Sequence, residues 1–256
     1  MDSLLRESDV FFLVFIRILS LLSLLPVFSH KAVSIPLRIA FSLVLSVLVV
    51  PMVANPAVDT TNVAGYALHA GREVLVGIVL GFACNFIFYG IRFAGGLIGT
   101  QMGFGMVNVL DPMSREQGTV IIQVKSVIAM LLFLILDGHF LLIEGIIRSF
   151  QAIPLATAVM PKEITQVVIQ LSYEVFVIAI KISAPVLVAV VMTNVALGIL
   201  ARTVPQMNVF IIGFPLTIGV GLLTLSITLP MFAGYMIRLI DSLRVTIATL
   251  VRLMAG

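Results

Sequence analysis

The stretch GGLIGTQMGFGMVNVLDPMSREQGTVIIQ, residues 95–123, lies between two long apolar blocks and has the composition of neither a membrane span nor a polar loop. Its first eleven residues contain five glycines, and a helix loses roughly 1 kcal/mol for each glycine that replaces an alanine. Methionines at 102, 106 and 113 and the ring of Phe104 add bulky, deformable apolar groups to this flexible backbone. We interpret the stretch as a movable plug; a glycine-rich loop between two packed helices is the alternative that the composition leaves open.

The chain around this stretch is too apolar for an ordinary soluble domain. Of its 256 residues, 61% are hydrophobic and 11% are charged, whereas about 25% charged residues are normal in a soluble domain. Its 15 lysines and arginines are scattered, and the net charge is only +3, so no basic stripe indicates nucleic acid. The single cysteine, Cys84, provides no disulfide framework and no CxxC pair, and we expect it to be a packing residue.

Six apolar blocks predict an all-α integral membrane protein that forms a single domain over residues 1–256. Blocks longer than about 18 residues indicate membrane insertion or burial inside a large assembly. Glycines and prolines interrupt the long blocks: we expect a turn at Asp137-Gly138, a kink at Pro185, breaks at Pro215 and Pro230, and an exposed loop over residues 56–71. The blocks are Val10–Phe28, Ile39–Ala54, Glu73–Ile98, Thr119–Ile147, Ile164–Ala201 and Val209–Ile240.

Four charged residues fall within apolar surroundings, where an ionised group needs a partner or water. We predict that they are buried charges: Arg17, Glu144, Glu174 and Lys181. Glu174 and Lys181 are two helical turns apart and share a helix face. A proton or ion relay is one interpretation of these residues; salt bridges between subunits, or positions above the lipid boundary, form the interpretation that we favour.

No pattern of catalytic or metal-binding residues is visible in the sequence. Asp137, His139 and Glu144 could supply metal ligands, but their spacing does not fit a helical HExxH site, and Asp-Gly is typical of a turn. Neither a GxSxG motif nor a P-loop is present. We therefore predict no catalytic residue, no metal and no cofactor.

Four motifs carry a resemblance to a known family. They are LGILARTVPQMNVFIIGFPL at residues 197–216, GTQMGFGMVNVLDP at 99–112, DGHFLLIEGI at 137–146 and RILSLLSLLPVFS at 17–29. In these motifs, and over essentially its whole length, the chain resembles the FliR family of flagellar export-gate proteins and its injectisome relatives, the SctT family. The flagellar branch is the closer resemblance.

The resemblance implies a core component of the type III export apparatus that is not an enzyme. Members of the family assemble with FliP-type and FliQ-type subunits into a helical, cone-like channel for unfolded flagellar proteins, and an FlhB-type switch protein wraps the channel. This implies a protein of the bacterial inner membrane and the flagellar basal body. It also implies that the apolar helices form hairpins that pack in a helical assembly.

The resemblance also assigns a role to the segment over residues 101–117, here named the plug segment. In the family, the loop that matches Gln101–Asp111 projects into the channel and closes the gate. Many relatives have aromatic residues where this chain has Met106 and Val109, so the plug expected here is softer and smaller. Its predicted residues are Gln101, Met102, Gly103, Phe104, Gly105, Met106, Val109 and Asp111.

The run between two prolines near residue 210 is a second candidate site. It reads as an interrupted hairpin that presents large apolar side chains to neighbouring subunits, with a glycine that permits close helix approach. The predicted subunit-packing residues are Pro205, Met207, Phe210, Gly213, Phe214 and Pro215.

A secondary transporter of small solutes is the alternative function. Six spans, helices interrupted by glycine and proline, and buried charges would all fit such a protein. The sequence contains no convincing inverted repeat and no group of polar residues converging at mid-helix, and both would be expected of a transporter.

Overall fold

The computed structural model is all-α over the residues that it describes, which are 2–25, 28, 33–53, 63–104, 120–204 and 208–256. Side chains are described from residue 8 onward, apart from those at 209 and 210. A 3₁₀ turn, Val50–Met52, follows the second helix. The helices are α1 (Asp2–Leu24), α2 (Ile35–Val49), α3 (Val63–Gln101), α4 (Val120–Ile135), α5 (Gly138–Ala152), α6 (Lys162–Thr203), α7 (Val209–Ile227) and α8 (Leu229–Ala255).

Each of the six predicted blocks is helical over most of its described residues, so the all-α fold class is confirmed. The fourth block is divided into α4 and α5 at Asp137, whose φ of 57° lies in the left-handed region that Asp tolerates better than most residues. The sixth block is divided into α7 and α8 at Thr228, next to Pro230. The turn at Asp137 and the break near Pro230 were therefore predicted correctly.

Two predicted boundaries are wrong. Residues 63–71 belong to α3 and not to a loop, because Tyr66 stacks on Phe12 of α1 with ring centroids 6.3 Å apart and its hydroxyl donates to the Asp9 carbonyl. Pro215 lies inside α7 and does not break it, since one lost backbone hydrogen bond is tolerated when the rest of the helix remains intact. Pro185 also lies inside a continuous helix, α6, and the kink expected there stays a prediction.

The described chain forms two compact units. Unit 1 comprises Met1–Phe86, Asp137–Ser172 and Ile240–Gly256, and unit 2 comprises Ile87–Leu136 and Tyr173–Leu239. Because segments of the two units alternate along the sequence, no single linker separates them. A single domain over residues 1–256 stays a prediction.

In unit 1, two glycines of α3 lie directly against α1. A Cβ atom at Gly77 would lie 2.6 Å from the Arg17 carbonyl oxygen, and one at Gly81 would lie 2.9 Å from the Leu21 carbonyl oxygen. Both distances are shorter than any real Cβ contact, and the obstructing atoms belong to backbone. The GxxxG spacing of α3 therefore allows close helix approach.

Several helices are long and apolar enough to cross a membrane. Among the described residues, three helices qualify alone, over Ile35–Met52, Val63–Gln101 and Lys162–Thr203, and the number rises to five if the pairs α4 with α5 and α7 with α8 each count as one bent span. With 42 residues, α6 is about 63 Å long, which is twice the hydrocarbon thickness of about 30 Å. Only 17% of the apolar window of α2 and 33% of that of α6 are buried inside the chain. Lipid or other protein must cover the rest of their apolar surface.

The contact between α1 and α3 predicts that Gly77→Ala destabilises the protein. The added methyl group meets backbone that cannot move aside, and overpacking of this kind costs about 1–3 kcal/mol. Gly71→Ala is the matched control on the same helix, because nothing lies within 4 Å of the added Cβ, and it should stabilise the helix by about 0.5–1 kcal/mol. Thermal unfolding of both variants in detergent tests this difference; equal unfolding temperatures would contradict it.

Candidate functional site

The plug segment begins with a helix-terminating motif at the end of α3. Gly103 has a φ of +94°, the left-handed conformation that glycine adopts without strain. Its amide donates to the Thr100 carbonyl at 3.2 Å, and the Phe104 amide donates to the Gly99 carbonyl at 3.0 Å. This pair of hydrogen bonds is the Schellman motif, which satisfies the last carbonyl groups of a helix and turns the chain away from its axis.

Met102, the residue before this turn, anchors the segment in unit 2. Its side chain is fully buried in a cluster contributed by α3, α4 and α6. Helix α7 closes over it at Gly221, where a Cβ atom would lie 2.7 Å from the Met102 Cε. The side chain therefore depends on the absence of one at position 221. The other buried members of the cluster are Ile98, Ile121, Val186 and Val190, and the partly buried Phe104, Ile218 and Leu225 pack against it.

Two of the sequence motifs behind the family resemblance meet at this anchor. A Cβ atom on Gly103 would lie 2.9 Å from two ring carbons of Phe214, so glycine is required here both for its backbone conformation and for space. Phe214 belongs to the predicted subunit-packing set, and the structure gives it a contact within its own chain. The two motifs therefore pack against each other in unit 2 at Gly103 and Phe214.

The structure describes only half of the predicted plug residues. Gln101 is exposed, Met102 is buried, and Gly103 and Phe104 are half-buried. A role for the segment in closing a channel stays a prediction. The remaining plug residues lie outside the described residues: Gly105, Met106, Val109 and Asp111.

The predicted subunit-packing residues are described only from Gly213 onward. Gly213 is buried, but a Cβ atom there would lie at an ordinary contact distance of 3.5 Å from Leu197 Cδ1. An alanine therefore fits at this position within the chain, and any stricter need for glycine would have to come from a neighbouring subunit. Pro215 is exposed on α7. Pro205 and Met207, and the side chain of Phe210, lie outside the described part.

Arg17 is the centre of a buried polar network in unit 1. Its side chain is 1% exposed, and its Nε donates to Oε2 of Glu73, which is fully buried on α3. Its Nη1 donates to the carbonyl oxygens of Ser149 at 3.1 Å and Ile153 at 3.2 Å. The guanidinium also lies 4.4 Å from the ring centroid of Phe150. One side chain of α1 thus connects α3, α5 and the chain that leaves α5.

Glu73 and Arg72 of α3 also bind the segment that follows α5. Ala156 has a φ of +66°, an uncommon conformation for a residue with a Cβ atom. Its amide donates to Glu73 Oε1 at 2.9 Å, and its carbonyl accepts from Arg72 Nη1 at 3.2 Å. Both polar groups of this backbone position are therefore bound by neighbouring residues of one helix, which accounts for a conformation that would otherwise be disfavoured.

The other predicted buried charges differ from expectation. Glu144 and Lys181 are exposed in the chain, so the prediction that they are buried is wrong for the single chain, and Glu174 is half-buried. Apolar neighbours in sequence misled the prediction, because residues three or four positions apart, not adjacent ones, share a helix face. Glu144 Oε1 instead pairs with Arg148 on the surface of α5, at 2.6 Å.

Glu174 and Lys181 are connected to the same aromatic residue of unit 2. Lys181 Nζ lies 5.9 Å from the ring centroid of Tyr235, and Arg238 Cζ lies 5.5 Å from it. Glu174 acts electrostatically on the same tyrosine. This arrangement fits a structural role for Glu174 and Lys181. That the two residues are structural and do not form a proton or ion relay stays a prediction.

Two further charged residues, Glu73 and Lys125, are buried and were not predicted from the sequence. Glu73 begins a predicted block, and nothing in the sequence indicated that it would meet Arg17, which lies 56 positions earlier. Lys125, on α4, is 4% exposed, and its Nζ lies 4.4 Å from the ring centroid of Phe232. The signal for Lys125 was present, since IIQVKSVIAM places a charge inside an apolar helix as clearly as the segment around Arg17 does.

No three side chains of His, Cys, Asp or Glu come together as a metal site in the part of the chain that the structure describes. Asp137 and His139 lie in and beside the turn before α5, where the His139 ring packs on Phe140 with centroids 4.2 Å apart.

The apolar helices and the anchored start of the plug segment define the class of protein. It is an all-α membrane protein with a capped glycine-rich segment on an apolar anchor.

Comparison with known proteins narrows this class. The sequence pattern of the family described as "Bacterial export proteins, family 1" matches residues 9–243. The flagellar biosynthetic protein FliR of Bacillus subtilis (strain 168) is 36% identical over 228 residues, which cover 88% of each chain. FliR of Pectobacterium carotovorum subsp. carotovorum is 32% identical over 88% of this chain and 86% of its own, and FliR of Escherichia coli (strain K12) is 29% identical over 89% and 87%. The chain therefore belongs to the FliR family of bacterial export proteins.

The buried network predicts a large difference between two glutamates. Glu73→Gln leaves the Arg17 guanidinium buried without its counter-ion, which should cost about 3–5 kcal/mol of folding free energy. Glu144→Gln breaks an exposed pair at spacing i, i+4 and should cost no more than about 0.5 kcal/mol. Replacing both Arg17 and Glu73, as Arg17→Met with Glu73→Leu, should recover part of the loss. Denaturant unfolding of the detergent-solubilised protein measures all three, and similar losses for both glutamates would refute the assignment.

Proposed function

We propose that the chain is a core subunit of the flagellar type III protein export gate. In this proposal it assembles with FliP-type and FliQ-type subunits into a channel that carries unfolded flagellar proteins across the bacterial inner membrane. An FlhB-type switch protein contacts the gate within the flagellar basal body. The subunit performs no catalysis and needs no cofactor; it forms the walls and the seal of a path. Membership of the FliR family over residues 9–243 supports the proposal, as do relatives named flagellar biosynthetic proteins.

The observation that carries the proposal is the way in which the plug segment leaves α3. A plug needs one end that stays fixed while its middle part yields, and the buried Met102 supplies a fixed end inside a packed cluster. Directly after it, Gly103 ends the helix in a capped turn, and Phe104 is only half-buried. The transition from firm packing to a glycine-rich, methionine-containing stretch thus occurs within three residues.

Methionine suits the middle of such a plug. Its side chain is unbranched and its thioether is polarizable, so it repacks readily around an irregular contact. Met106 and Phe104 can therefore seal the closed path and still yield when an unfolded polypeptide enters. A rigid branched side chain at the same place would seal only one geometry.

The uncovered apolar helices support assembly with other subunits. Large apolar side chains of α2 and α6 are exposed along both helices, Val47 to 61% and Ile180 to 60%, among others. A helix of about 63 Å cannot bury all of that surface in a hydrocarbon layer of about 30 Å. Protein partners are therefore needed to cover the remainder, whereas a monomeric transporter would have to leave it exposed to water.

Co-expression tests the assembly. The chain, produced together with the FliP-type and FliQ-type proteins of the same bacterium, should be extracted in detergent as one complex, with a measured mass that requires all three subunits. When it is produced alone, its yield and stability should fall. A chain that is equally stable alone and never co-purifies with the other two would favour the small-solute transporter.

The anchor and the plug should respond differently to mutation. Met102→Ala removes a fully buried side chain and should lower complex yield, since such a change costs about 2–5 kcal/mol. Met102→Leu, which nearly conserves volume, should cost less than about 1.5 kcal/mol and serves as the control. Phe104→Ala with Met106→Ala should assemble normally but leak small solutes through the inner membrane, with export largely retained.

Two measurements distinguish these outcomes: the yield of the purified complex and the uptake of a normally impermeant solute by cells that produce it. If Phe104→Ala with Met106→Ala assembles, stays sealed and exports normally, the segment is a packing loop and not a gate. If Met102→Ala assembles fully and leaks, Met102 belongs to the seal instead of the anchor.

A further inference from the structure

A charged groove lies between α5 and α8 in unit 1. It has a volume of about 500 Å³ and opens to the surroundings. Its floor includes buried apolar side chains, Leu141, Ile247 and Val251. Its polar lining residues are all exposed: Glu144, Arg148, Gln151, Arg244 and Arg252. The groove is separate from the plug segment and its anchor, which belong to unit 2.

Small residues on both helices determine the shape of this groove. At Gly145 the two helices come so close that a Cβ atom would lie 3.3 Å from Ile247 Cγ2. The groove is also lined by Ala152 on α5 and by Ala248 and Ala255 on α8, whose short side chains leave room beside the longer polar ones. The groove thus follows from the sequence spacing on both helices, where small and apolar residues recur at three- and four-residue intervals.

The groove has an excess of positive charge. Of its four charged residues, Glu144 is paired with Arg148, with 2.6 Å between their charged atoms. Within the described chain, Arg244 and Arg252 make no ion pair, so both guanidinium groups are available to bind an anion. The planar guanidinium groups of arginine match the oxygens of a phosphate group in a two-point arrangement.

The surroundings of these arginines suit a lipid. Arg252 lies in the last turn of α8, and Arg244 lies about two turns earlier on the same helix, opposite the groove wall formed by α5. Both helices belong to bent pairs that are apolar enough to span a membrane, and charged groups near the ends of such helices reach the level of the lipid headgroups. The apolar floor lies directly beside the charges, as a molecule with a phosphate group and an alkyl chain would require.

We propose that this groove binds the phosphate group of an anionic phospholipid between Arg244 and Arg252, with the first acyl methylene groups on the floor formed by Ile247 and Val251. The volume favours a lipid over a partner helix. The volume of about 500 Å³ falls within the range of about 300–1,000 Å³ that is typical of small-molecule pockets, and the unpaired arginines beside an apolar floor match a phosphate group with an alkyl chain. The inference does not depend on the export-gate function, because it concerns different helices and a different ligand.

The test compares phosphatidylglycerol with phosphatidylcholine on the full chain in detergent, by native mass spectrometry of retained lipid and by titration in mixed micelles. The wild-type protein should retain phosphatidylglycerol preferentially. Arg244→Gln with Arg252→Gln should weaken its binding about fivefold for each arginine, which corresponds to about 1 kcal/mol each at 1.4 kcal/mol per tenfold change. Inorganic phosphate and glycerol 3-phosphate form a separate arm, and they should compete only weakly because neither occupies the apolar floor.

The matched control is Arg92→Gln with Arg202→Gln. These arginines are also exposed on apolar helices, and Arg202 lies in the last turn of α6 as Arg252 does in α8, but neither lines the groove. This variant should bind phosphatidylglycerol as the wild type does. Arg244→Lys with Arg252→Lys keeps the charge without the two-point geometry and should bind with intermediate affinity.

Three results would overturn the proposal. The first is equal retention of phosphatidylglycerol and phosphatidylcholine by the wild type, which is decisive even if the glutamine variant does not fold. The second is full competition by inorganic phosphate, which would make the groove a site for free phosphate. The third is an unchanged lipid preference in the glutamine variant together with loss of co-purifying protein subunits, which would make the groove a contact for a partner helix.

Discussion

The burial of Arg17 is the constraint on which the rest of unit 1 depends. A guanidinium group in apolar surroundings is unfavourable unless a counter-ion and hydrogen-bond acceptors surround it. Glu73 supplies the charge, and the carbonyl oxygens at the end of α5 supply further acceptors. These groups converge only if α1 and α3 lie unusually close, and Gly77 permits that by presenting no side chain to the Arg17 backbone. The polar contact and the glycine contact are therefore parts of a single requirement.

In unit 2, apolar packing holds the start of the plug segment, whereas unit 1 depends on a buried polar network. Its central cluster is entirely apolar, and the position of the plug segment depends on shape: Met102 occupies the space left by Gly221, and Phe214 occupies the space left by Gly103. Apolar packing has no preferred direction, so it is the glycines that specify which side chains meet. A polar network would hold a segment more selectively, but a soft apolar contact can be rearranged without leaving a charge unpaired.

Much of the fold could be predicted from the sequence, because block length and hydropathy report helices directly. The six helical blocks and the turn at Asp137 both depend on local composition. The start of α3 was missed because it depends on Tyr66 packing against Phe12, a contact with another helix.

The site was less predictable for the same physical reason. The partner of Arg17 lies 56 positions away, and no local pattern marks Glu73 as that partner. Glu144 has apolar neighbours in sequence, yet it projects from the exposed face of α5. Local sequence thus indicates that a helix exists, but the face that each residue occupies depends on what the other helices cover. The chain itself leaves most of the apolar surface of α2 and α6 uncovered. Which faces of these two helices become buried therefore depends on lipid and on other proteins.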